Sequence, residues 1–215
     1  VLLERAQPSI IWGVTWYFAP LLSKVSKDAF RILERNESTV WHLRQIYENE
    51  FNRLKIKDTN PFGPYSSNTA FQYDEYYSAD LITGTIGSDG LKSYNAARSY
   101  GVKSPVRTFI PATDHNLYVS RRVPFSTSDK VKVLFPGSII LRKGIQYLLE
   151  AWKYFNNDKF ELLIFNNHSD PWGLNLVETC GYSNVRVLPP LVPGSSELVD
   201  AYNEADIVIL PTLAE

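Results

Sequence analysis

Apolar residues in this chain gather in short, nearly continuous runs, parted by longer stretches in which they recur every third or fourth position. Ile10-Ile11-Trp12 after Ser9, closed by Gly13, reads as a strand, and Phe18, Leu21, Leu22 and Val25 place a helix over 16–27. The rhythm repeats with a strand over 30–34, a polar loop over 36–39 rich in helix-capping residues, and an amphipathic helix over 40–54. Two prolines and a glycine within 58–64 leave room only for a loop. A helix over 71–79, a strand over 80–84, a helix over 88–100 closed by Gly101 and a strand over 106–111 follow.

The stretch 112–130 is polar and irregular. After it the pattern restarts with the strand Val131-Lys132-Val133-Leu134-Phe135, then a loop, then a helix over 144–155 whose Ile145, Leu148, Leu149 and Trp152 share one face. Further strands are expected at 160–165, 185–188 and 207–210, with helices near 174–180 and 196–204. Nearly continuous apolar strands alternating with helices predict buried parallel sheets, here in two α/β domains joined by the irregular stretch.

Composition narrows the function classes. At 215 residues and 44% hydrophobic, the chain is long enough to bury a sizeable core. With 22 basic against 23 acidic residues it has no excess of cations to neutralise a nucleic-acid backbone, so any anion must be bound locally. The single Cys180 excludes an internal disulfide and a cysteine-cluster zinc site, which favours a reducing compartment, by default the cytoplasm. No apolar run reaches the roughly 18 residues of a membrane span, and the first residues lack the order of a signal peptide. The sequence contains no Met and stops directly after a strand-like run, so both ends read as cut.

In a parallel sheet the ligand crevice lies at the carboxyl ends of the strands. Gly137-Ser138, Asn166-Asn167-His168, Pro189-Pro190-Leu191 and 212–215 occupy such ends in the second half. Of these, 137–144 joins Arg142 and Lys143 to the start of a helix, a combination suited to a phosphate or pyrophosphate. The residues alone leave a second reading open, in which both cations sit on a solvated loop. Asn166-Asn167 is equally consistent with ordinary turn chemistry. His42, His115 and His168 read as surface histidines, although His42 lies close to the capping loop Ser38-Thr39.

The spacing of Val133-Leu134-Phe135-Pro136-Gly137-Ser138 with Arg142-Lys143-Gly144-Ile145-Gln146-Tyr147-Leu148-Leu149-Glu150-Ala151-Trp152 resembles the donor-site entry of family 4 retaining glycosyltransferases. Val192-Pro193, Glu197-Leu198 and the run from Ala201 to Glu215 resemble that family's approach to its paired-glutamate motif. In the first half, Ile32-Leu33-Glu34-Arg35 with Ser38-Thr39, and Glu75-Tyr76-Tyr77-Ser78-Ala79-Asp80-Leu81-Ile82, are similar to the acceptor-side domain of one branch of it.

The resemblance implies the GT-B fold, two Rossmann-like domains with parallel sheets, both incomplete in this chain. Residues 1–112 would be the end of the acceptor-side domain, 113–130 the interdomain linker, and 131–215 the first part of the donor domain. It further implies hexosyl transfer with retention of configuration from a UDP- or GDP-sugar to a carbohydrate or lipid-linked acceptor, in the cytoplasm or at its membrane surface, with no metal or other cofactor and no nucleic acid. Lys143, assisted by Arg142, would stabilise the leaving diphosphate, and Glu215 would match the first glutamate of the pair. Gly137, Ser138, Asn166 and Leu191 would complete the donor site, and Ser38, Thr39 and His42 would face the acceptor. Ser138 departs from the arginine that many relatives carry at that place. The second glutamate of the pair lies beyond the chain, so the fragment is expected to be inactive alone. A non-catalytic nucleotide- or sugar-binding module of the same fold is the alternative.

Overall fold

The structure, a computed structural model, describes residues 7–14, 18–22, 24, 27–35, 38–57, 69–85, 98–110, 116 and 130–214. The chain divides into two compact units, residues 1–111 with 214–215 and residues 112–213.

In the first unit the order is β1 (Ile10–Val14), α1 (Phe18–Leu22), β2 (Phe30–Arg35), α2 (Val40–Leu54), α3 (Thr69–Ser78), β3 (Leu81–Thr85) and β4 (Val106–Phe109). The strands pair in parallel in the order β1-β2-β3-β4, with Ile10 opposite Phe30, Ile32 opposite Leu81 and Ile82 opposite Val106. Parallel pairing requires a crossover between successive strands, and among the described residues α1 lies in the β1–β2 connection and α2 and α3 in the β2–β3 connection. Ile11, Phe18, Leu33, Tyr76 and Ile82 form the core, with Trp41 and Tyr73 packed against it.

Two corrections concern lengths. The helix expected over 16–27 runs over Phe18–Leu22 among the described residues, and Lys24 closes a turn onto the Leu21 carbonyl at 3.0 Å. Of the helix expected over 88–100, Arg98 and Ser99 are helical and Tyr100 is in a turn, while 88–97 lie outside the described residues, as do Trp16, His115, Glu215, the loop 58–68 and nearly all of 111–129.

The second unit contains β5 (Val131–Phe135), a 3-10 turn (Leu141–Lys143), α4 (Ile145–Trp152), β6 (Phe160–Phe165), α5 (Pro171–Thr179), β7 (Val185–Leu188), α6 (Ser196–Glu204) and β8 (Ile207–Val208). Its strands are also parallel, in the order β7-β6-β5-β8. Leu134, Phe135, Leu162 and Ile164 are fully buried, as expected of central strands covered on both faces. Helix α4 buries Ile145, Leu148, Leu149 and Trp152 against Phe135, Leu162 and Ile164, each worth roughly 1.5–3 kcal/mol of apolar transfer. The last strand is shorter than the expected 207–210. Beyond Val208, Ile209 still donates its amide to the Leu134 carbonyl at 2.9 Å. The observed class is therefore α/β with two Rossmann-like parallel sheets. Among the described residues, no helix is long and apolar enough to cross a membrane.

Candidate functional site

Strand order in the second unit reverses beside β5: the chain leaves β5 for β6 and β7 on one side and returns to β8 on the other. In open parallel sheets such a reversal is where ligands are generally bound, outside the carboxyl ends of the strands. The loop 136–144 follows β5 at this point, and residues 209–213 follow β8.

Two glycines allow these segments to touch. A Cβ on Gly137 would lie 2.8 Å from Leu210 Cδ1 and 2.9 Å from Phe135 Cζ. One on Gly144 would lie 1.9 Å from the Pro211 carbonyl oxygen, and Gly144 also has a left-handed φ of +78°. Gly144 requires glycine for two independent reasons, backbone contact and φ, whereas a side chain at Gly137 would have to displace the ends of Leu210 and Phe135.

Between the glycines the loop is anchored by Ile139, Ile140 and Leu141, all buried, while Ser138, Arg142 and Lys143 are half-buried. Arg142 and Lys143 form the 3-10 turn, a refinement of the helix expected to start at 144. Gly144 separates that turn from α4.

The backbone of the loop is held from three sides. Asp170 Oδ2 accepts the Leu141 amide at 2.9 Å, and buried Gln146 donates its side-chain amide to the Leu141 carbonyl at 3.0 Å. The Arg142 carbonyl accepts the Leu213 amide at 2.9 Å and the Thr212 hydroxyl at 3.4 Å. The cationic turn is thus fixed to the segment that leads directly to Glu215.

Asp170 also caps α5 by accepting the Gly173 amide, and its own amide donates to the Ile139 carbonyl at 3.0 Å. Burial pushes its carboxyl above the usual carboxylate range, opposed by the amides of Gly173 and Leu141 and by the neighbouring His168. The Ile139 amide donates to the His168 carbonyl at 2.8 Å, which lays the loop after β6 alongside the loop after β5.

Asn167 rather than Asn166 makes the side-chain bond in this region: its Oδ1 accepts the Leu191 amide at 2.8 Å. Leu191 packs with Leu188 and Leu198 against the second face of the sheet. The structure thus brings Gly137, Ser138, Arg142 and Lys143 into one loop, with Asn166 and Leu191 in the loops beside it.

Ser38, Thr39 and His42 belong to the first unit. Ser38 and Thr39 are 0% exposed. Thr39 caps α2, where its hydroxyl oxygen accepts the His42 amide at 3.5 Å, and the Ser38 carbonyl accepts the buried Arg35 guanidinium at 2.8 Å. His42 is half-buried in the first turn of α2.

Sequence reasoning missed Asp170 and Gln146. For Asp170 a signal existed, because Asp followed by Pro171 is the usual N-cap and first residue of a helix. For Gln146, a polar residue on an otherwise apolar helix face, periodicity carries none.

No known protein family matches this sequence, and no curated protein does. Among solved structures it is similar to the crystal structure of TarM, at 12% identity and a TM-score of 0.63, over 100% of this chain and 39% of TarM. It overlays on a glycosyltransferase from Rickettsia africae ESF-5 at 12% identity and a TM-score of 0.43, over 95% of this chain and 73% of that one. The chain thus spans 39% of the length of TarM, and the likeness to it speaks for the fold alone, two Rossmann-like α/β domains of the GT-B type.

Proposed function

We propose that this chain carries the donor-binding part of a retaining glycosyltransferase that moves a hexose from a UDP- or GDP-sugar to a carbohydrate or lipid-linked acceptor. The observation that carries this reading is a loop with two cations, fixed at the strand-order reversal of a Rossmann-like sheet and tied to the chain just before Glu215. The domain limits 1–112, 113–130 and 131–215, a cytoplasmic site of action, contact with a membrane surface and a role in polysaccharide assembly belong to the same reading.

In the reaction, the bond between the sugar's anomeric carbon and the β-phosphate oxygen breaks while the acceptor oxygen bonds to the same face of that carbon. The acceptor proton passes to the leaving phosphate oxygen. Negative charge grows on the diphosphate, and Lys143 with Arg142 would offset it from a backbone that does not need to reorganise. Half-burial strengthens this electrostatic effect relative to open water. Glu215 would contact the sugar. The route asks for no protein nucleophile and no metal ion.

The test is calorimetric titration of the whole chain with UDP, GDP and ADP, beside Lys143→Ala. Binding of one nucleotide, weakened about tenfold or more in the variant, is expected. Equal affinity in the two proteins would sink the assignment of Lys143. Ser138, where many relatives of the resembled family carry a second cation, favours the rival of a weak, non-catalytic nucleotide-binding module. Binding without sugar transfer in a longer chain that continues past Glu215 would support that rival.

A further inference from the structure

The first unit has a cleft of about 480 Å³ lined by Tyr77, Ala79, Asp80, Gly101, Lys103, Ser104 and Pro105. Asp80 immediately precedes β3 and Lys103 to Pro105 immediately precede β4, so the cleft lies at the amino ends of these strands. Arg35 ends β2, and Ser38 and Thr39 follow it. The cleft is therefore separate from the strand ends considered above, and its volume falls within the roughly 300–1,000 Å³ of small-molecule sites.

Its chemistry is mixed in a particular way. Tyr77 is 56% exposed, and its hydroxyl donates to the Tyr100 carbonyl at 2.6 Å, which fixes the ring over the cleft wall. Tyr100, itself 53% exposed, is stacked on Trp41 with ring centroids 4.9 Å apart and planes 8° apart. A ring immobilised in this way loses little entropy when a ligand lies on it.

Polar groups accompany the rings. Asp80 Oδ2 accepts the Arg31 amide at 2.8 Å, which leaves Oδ1 as an acceptor. Among the described residues nothing pairs with the Lys103 ammonium. An apolar ring face beside one carboxylate and one ammonium matches a ligand with a C–H face and a rim of hydroxyls. Asp80 would accept from hydroxyls and Lys103 would donate to them, and the carboxylate disfavours an anion.

We infer that this cleft binds a neutral carbohydrate, stacked on Tyr77 and hydrogen-bonded by Asp80 and Lys103. The inference does not depend on the donor loop, and its failure leaves the nucleotide titration untouched.

The experiment is a saturation-transfer NMR titration of the whole chain with maltohexaose, cellohexaose, chitohexaose and mannohexaose, and with hexagalacturonate as the anionic control. At least one neutral oligosaccharide should bind, and both Tyr77→Ala and Lys103→Ala should weaken it about tenfold or more. Tyr77→Phe, which keeps the ring but loses the bond that fixes it, should bind more weakly than the parent and more tightly than Tyr77→Ala. Both side chains are exposed, so neither variant should fail to fold. The inference is overturned if no neutral oligosaccharide binds, if either alanine variant binds as the parent does, or if hexagalacturonate binds more tightly than every neutral sugar.

Discussion

The two units use the same βα geometry and place cations at the carboxyl ends of their strands, with different outcomes. In the first, Arg35 ends β2 and is 1% exposed, its guanidinium held by the Ser38 carbonyl at 2.8 Å and lying 5.1 Å from the centre of the Tyr76 ring. In the second, Arg142 and Lys143 are half-buried on a turn whose apolar residues, Ile139 to Leu141, do the anchoring. The first sheet runs β1-β2-β3-β4 without a reversal among the described residues, whereas the second reverses at β5. Arg35 is enclosed by the packing of its own unit, whereas the loop of Arg142 and Lys143 is anchored by aliphatic side chains and sits where the strand order reverses.

The most severe way to break the second loop is through Gly144. Gly144→Ala must accommodate both a left-handed φ and a Cβ driven into the Pro211 carbonyl, at an expected cost of about 3 kcal/mol or more in urea denaturation. Gly181 separates the two causes, since its φ is +69° with nothing within 4 Å of an added Cβ. Gly181→Ala should therefore show the conformational cost alone, about 1 kcal/mol. Equal losses at the two sites would mean that segment 209–213 moves aside freely and does not brace the loop.

The cations themselves should differ in kind. Arg35→Ala removes a buried hydrogen bond and a stacked, desolvated charge and should cost roughly 2–4 kcal/mol. Lys143→Ala should cost about 1 kcal/mol or less, as expected of a side chain at a partly exposed turn. A large loss at Lys143 would show that its charge holds the fold as Arg35 does. At the loop after β2, Thr39→Ala removes the α2 cap and should cost about 1 kcal/mol by the same measurement.

Much of this contrast was hidden in the sequence. The alternation of strands and helices was legible because buried strands and amphipathic helices have different apolar periods. Thr39 was legible as a cap because a hydroxyl before an apolar run has few other uses. The order β7-β6-β5-β8 was not, since no residue in β8 states which neighbour it will choose. Nor was the burial of Arg35: Glu34-Arg35 reads as the polar end of a strand, and only the packing of Tyr76 from a helix some forty residues away encloses it. Glu75 makes the same point. It is 0% exposed within α3, and its Oε1 accepts the amides of Phe18 and Ala19 at 3.1 and 3.2 Å, capping a helix far away in sequence. Long-range polar contacts of this kind have no local signature.

The smallest expected effect tests how the second loop is held. Asp170 joins that loop to α5 through the amides of Leu141 and Gly173, and burial raises its folded pKa above the unfolded value. The folded state therefore binds the proton more tightly than the unfolded chain, so this group's contribution to stability is fully present below the unfolded pKa. It is lost as pH rises through the raised folded value. Asp170→Asn keeps an acceptor oxygen for one amide and removes the titration. Urea midpoints measured from pH 4 to 7 should fall less with rising pH in the variant than in the parent, the difference amounting to about 1 kcal/mol or less. The cap bond should persist through the amide oxygen. Parallel profiles would mean that Asp170 titrates alike in both states, and that the amides of Leu141 and Gly173 offset its burial in full.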